Sequence, residues 1–120
     1  MKVYWTRFAL NSLREIYDYY KLNASVSIAR NIKDSILLST HQLELQPFSG
    51  APEISLKQLN EGHRYLLRGN YKIIYKVLEQ KIFIVDVFDT RQNPTKIYRN
   101  TTNDSTLNEP DSGESYKKEK

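Results

Sequence analysis

The stretch QPFSGAP at residues 46–52 divides this chain into two halves with different periodicities. Pro47 and Pro52 cannot continue a helix, because proline lacks an amide proton and its ring clashes with the preceding turn, and Gly50 adds a further break. Ahead of it, Ala9, Leu13, Ile16, Tyr17 and Tyr20 recur at helical spacing and predict an amphipathic helix over about Arg7–Lys21. Thr6 is placed to cap that helix, and Val3–Trp5 reads as a short strand before it. Asn23 ends it, Ser25 or Ser27 caps a second, and Ile28, Ala29, Ile32, Ile36 and Leu43 carry a second stripe to about Leu45. Two amphipathic helices with so short a link form an antiparallel hairpin.

After the break the period falls from 3.6 to 2. Ile54–Leu59, His63–Leu67, Tyr71–Val77 and Ile82–Phe88 are rich in β-branched and aromatic residues and read as strands. The expected architecture is α+β: a short N-terminal strand and a helical hairpin packed on one face of an antiparallel sheet. With 120 residues there is material for one core, so residues 1–100 are expected to form a single domain. Residues 101–120 are almost free of apolar side chains and are expected to be a disordered polar tail.

Charge follows the same division. The net charge is +4, while the last twenty residues hold five acids and three lysines, leaving +6 on residues 1–100. A basic body fits an anionic partner, nucleic acid or an acidic protein segment. Cysteine is absent, which excludes disulfides and thiolate metal sites. No run reaches the ~20 apolar residues of a membrane span. The N-terminus lacks the apolar region of a signal peptide, so a cytoplasmic protein is expected. The two histidines, His41 and His63, are far apart in sequence and outline no metal site; His63 reads as a surface residue at a strand end.

The segment HRYLLRGNYKIIYKV, residues 63–77, is where chemistry is to be sought. A two-residue Gly69-Asn70 loop would pair Leu67 with Lys72 and mix charged with apolar side chains on both faces. A three-residue Arg68-Gly69-Asn70 loop instead gathers Tyr65, Leu67, Tyr71, Ile73 and Tyr75 on one face and Arg64, Lys72 and Lys76 on the other. Where one face alone is buried, register follows the hydrophobic pattern, and that favours the longer loop. Continuing the alternation past a turn at Glu79-Gln80 puts Phe83, Val85, Val87, Asp89 and Arg91 on the basic face. Arg64, Lys72 and Arg91 then converge over a floor of Leu66, Ile74, Val85 and Val87. Asp86 falls on the core side and requires a partner such as a tyrosine hydroxyl.

The helical hairpin, the Leu43–Pro47–Gly50 break, the strand NYKIIYKV and the segment FIVDVFDTRQNP, in that order, resemble the RelE/ParE superfamily, the toxins of bacterial type II toxin–antitoxin pairs. The resemblance covers residues 2 to about 98. It implies a growth-inhibiting toxin, without cofactor or metal, neutralised by a cognate antitoxin. Two activities follow from it: RelE-like members cut mRNA on the ribosome, and ParE-like members poison DNA gyrase. In the nuclease reading, Arg64, Lys72, Arg91 and Tyr98 match catalytic positions, with arginine suited to gripping phosphate oxygens. In the interaction reading, Arg64, Lys72, Lys76 and Arg91 bind antitoxin or target. Leu66 stands where the nuclease branch tends to have lysine, and Asp89 where many relatives have histidine. These departures place the chain nearer the ParE-like side.

Overall fold

The computed structural model describes residues 1–91, and Tyr98 and the tail lie outside them. Strand β1 (Lys2–Trp5) leads into helix α1 (Arg7–Asn23), and helix α2 (Val26–Gln42) returns beside it. A two-residue strand β2 (Ala51–Pro52), a 3₁₀ helix (Ile54–Leu59) and the meander β3 (Arg64–Arg68), β4 (Tyr71–Leu78) and β5 (Lys81–Asp89) follow. The strand order is β1-β5-β4-β3-β2. All neighbours are antiparallel except β1, which runs parallel to β5, so the sheet is mixed.

Both helices begin where the sequence places their caps. Thr6 Oγ1 accepts the Ala9 amide and donates to the carbonyl of Ile84, so one hydroxyl caps α1 and ties it to the sheet. Ser25 accepts the Ile28 amide at the start of α2. Ala9 and Leu13 of α1 and Ile36, Leu37 and Leu43 around α2 are buried against Tyr71, Ile73, Tyr75, Ile82, Ile84 and Val87. Ile28, expected in that stripe, is exposed.

The segment Ile54–Leu59 is not a strand. The Glu53 carboxylate accepts the amide and hydroxyl of Ser55 and starts a 3₁₀ helix, whose three-residue turn puts Leu56 and Leu59 on one side. Leu56 is 1% exposed and Ile54 77%. Leu56 and Leu59 pack with Tyr4, Ile74, Phe83, Val85 and Phe88 on the sheet face away from the helices.

Because both faces are covered, the expected register fails. Arg68 pairs with Tyr71 and Leu67 with Lys72 across a two-residue Gly69-Asn70 turn, with Gly69 at φ 60°. Ile73 and Ile74 are adjacent yet both fully buried, so mixing polar and apolar side chains on one face carries no penalty here. The β4–β5 register is the expected one at Val77–Ile82 and Lys76–Phe83, then shifts at a bulge, Ile74 facing Asp86 and Tyr75 facing Ile84. Asp86 does reach the helix side, where its Oδ1 accepts from Ser12 Oγ at 3.0 Å and from the Val87 amide.

Candidate functional site

The register decides where the basic residues go. Arg64 pairs with Tyr75 and so lies on the helix side, whereas Lys72 and Lys76 alternate to the opposite face with Ile74. Val87 and Asp89 belong to the helix side, Phe83 and Val85 to the other. Arg64, Lys72 and Arg91 therefore do not converge on one groove. The expected floor is likewise split, Leu66 and Val87 from Ile74 and Val85.

Each cation also has an internal partner. Arg64 donates to the carbonyls of Gly50 at 2.8 Å and Phe48 at 3.3 Å and stacks on the Phe48 ring, so it holds the loop after α2. Lys72 forms an ion pair with Glu53 at 2.9 Å and lies over the ring of Tyr65. Burial pushes the Glu53 carboxyl upward, but the Ser55 hydrogen bonds and Lys72 outweigh it and hold it below the usual range. Lys76 is paired with Glu61 at 2.9 Å. Arg68 donates to Ser39 Oγ on α2.

Arg91 is gripped by its neighbour. Its Nε donates to Asp89 Oδ1 at 2.9 Å and its terminal nitrogen to Oδ2, a bidentate clamp. Arg91 holds the Asp89 carboxyl below the usual carboxylate range. Beside this pair the Tyr71 hydroxyl donates to Tyr20 at 3.0 Å, joining β4 to α1. Burial and that hydrogen bond push the Tyr71 phenol well above its ordinary range, so it is no base near neutrality.

His63, expected at the surface, is buried with no exposed side-chain area. His41 is exposed on α2, 3.4 Å from Glu44. Nothing in the sequence marks Glu53 and Glu61 as the partners of Lys72 and Lys76. Only the Asp89–Arg91 spacing carries a signal there, as an acid that weakens the field of its arginine.

What the surface does offer is apolar area. Leu22 at the hairpin tip, Leu45 and Phe48 after α2, Ile54, and Leu67 at the end of β3 are all more than half exposed.

Nine chains of known structure match. One of them, from the chromosomal ParDE toxin–antitoxin system of P. aeruginosa, superposes with a TM-score of 0.62 at 25% identity, over 74% of this chain and 95% of its own. No curated protein sequence matches. A family model described as the ParE toxin of the type II toxin–antitoxin system parDE matches residues 3–94, well over half of the sequence, and the chain therefore belongs to the ParE toxin family.

Proposed function

We propose that this toxin arrests growth by binding an essential target, with DNA gyrase the favoured one, rather than by cutting RNA, and that a cognate antitoxin neutralises it in the cytoplasm. The observation that carries this reading is the occupation of every candidate cation by an acid or a carbonyl of the same chain, above all the bidentate hold of Asp89 on Arg91. Metal-free cleavage by a 2′-hydroxyl needs free cations around the phosphate and a group that exchanges protons near neutrality. Among the described residues the cations point to different faces, the Tyr71 phenol is pushed up, and His63 is sealed.

In this reading Arg64, Lys72, Lys76 and Arg91 serve binding, either by shaping the surface or by exchanging their internal partners for those of an acidic antitoxin segment. The relative from P. aeruginosa belongs to a two-component ParDE system, which supports an antitoxin partner here. The test is primer extension on mRNA in a reconstituted translation system, with protein shown to arrest growth in cells. The reading expects intact mRNA. Ribosome-dependent cuts that disappear in Arg91→Ala or Lys72→Ala would overturn it in favour of a RelE-type endoribonuclease.

A further inference from the structure

The segment between β2 and β3 leaves the sheet and returns to the same point: the Glu53 amide donates to the His63 carbonyl at 2.9 Å. Residues 53–63 thus form an Ω-shaped excursion, closed at its neck and lying over the sheet face opposite the helices. Beneath it are the apolar side chains of Tyr4, Ile74, Phe83, Val85 and Phe88. Three attachments hold it down: Leu56 buried among those side chains, Glu53 paired with Lys72, and Glu61 paired with Lys76. His63 sits at the neck, its side chain fully enclosed and neither ring nitrogen hydrogen-bonded within the described residues.

We propose that residues 53–63 are an acid-released strap, latched over the second face of the sheet while the His63 imidazole is neutral and freed when that imidazole takes a proton. The charges around the ring decide the sign. Glu61 and Glu53 of the strap favour the cation, Glu61 with its Oε1 3.8 Å from Nε2, while Lys76 of β4 disfavours it. Arg64, the next residue, is turned to the opposite face, and Lys57 on the 3₁₀ helix is exposed. Burial is the largest influence, and with Lys76 it lowers the His63 pKa from 6.5 to about 4. Once the strap lifts, the ring meets water and regains its ordinary affinity for a proton. The closed state is therefore fully favoured above pH 6.5 and loses ground as the pH falls toward 4. Glu53, whose carboxyl is held below its usual range, stays ionised through most of that window, so the pairing with Lys72 does not account for the change.

Native-state hydrogen exchange tests this, followed residue by residue from about pH 7 to about pH 4.5 and corrected for intrinsic rates. The amides of Glu53, Leu56 and Asn60, bonded to the carbonyls of His63, Glu53 and Lys57, report the strap. Ile73 and Ile84 report the sheet. Below about pH 6.5 the opening constant of the three strap amides is expected to rise by about tenfold per pH unit, with Ile73 and Ile84 unchanged. His63→Phe, apolar and of similar bulk, flattens that dependence; His63→Gln, which takes no proton, does the same if the phenylalanine variant fails to fold. Strap amides indifferent to pH, strap and sheet amides rising together, or a dependence that survives both substitutions would each overturn the proposal.

Discussion

At the scale of single residues, the most demanding position is Gly50. A β-carbon there would lie 2.6 Å from the carbonyl oxygen of Tyr65 and 2.7 Å from the hydroxyl of Tyr75, and the first of these is backbone that cannot swing away. The same Tyr75 hydroxyl accepts the Gly50 amide at 2.9 Å. Gly50→Ala is therefore expected to destabilise the fold by about 1–3 kcal/mol or more, since a tightly packed site must be forced apart. Tyr75→Phe leaves a buried amide without its acceptor and should cost about 1–3 kcal/mol. Urea denaturation of the two variants checks both; a Gly50→Ala midpoint equal to that of the parent would mean the loop relaxes freely. Gly50 is legible in the sequence as a helix breaker, but not as the point where a buried tyrosine meets the backbone, because that contact joins residues 25 apart.

At the scale of elements, periodicity and capping chemistry located most of the architecture. The α1 stripe, Thr6, Ser25 and the turn at Glu79-Gln80 all lie where residue type and spacing place them. Two inferences failed, for the same physical reason. The β3–β4 register and the assignment of Ile54–Leu59 both assumed one buried face, whereas the 3₁₀ helix buries the second. A covering element of six residues, recognisable only by leucines three apart, cannot be told from a strand by alternation over so short a span. The candidate site suffered in turn, since shifting the loop by one residue moved Arg64 to the far side of the sheet from Lys72. The turn between β4 and β5 offers a test of its own. Glu79 and Gln80 both have positive φ, at 52° and 65°, which a two-residue hairpin loop satisfies best with an asparagine followed by a glycine. The double substitution Glu79→Asn with Gln80→Gly is expected to raise stability by about 0.5–1 kcal/mol, seen as an upward shift in thermal midpoint. At the other end of the sheet, Thr6→Ala removes both the α1 cap and the bond to the Ile84 carbonyl and should cost about 1–2 kcal/mol by the same measurement.

At the scale of the whole molecule, the basic residues that the sequence gathers on one face are parted by the sheet. The cations that stand out in the sequence are distributed over two faces and held by internal acids and carbonyls, while several large apolar side chains are exposed among the described residues. In the function proposed for it, this toxin acts by contact with its target. The measurement that bears most directly on that claim is plasmid supercoiling by purified DNA gyrase, titrated with the toxin at concentrations bracketing those that arrest growth. Loss of supercoiling, restored by the cognate antitoxin, is the predicted result. Gyrase that supercoils at its full rate in the presence of protein that still stops cells would contradict the account.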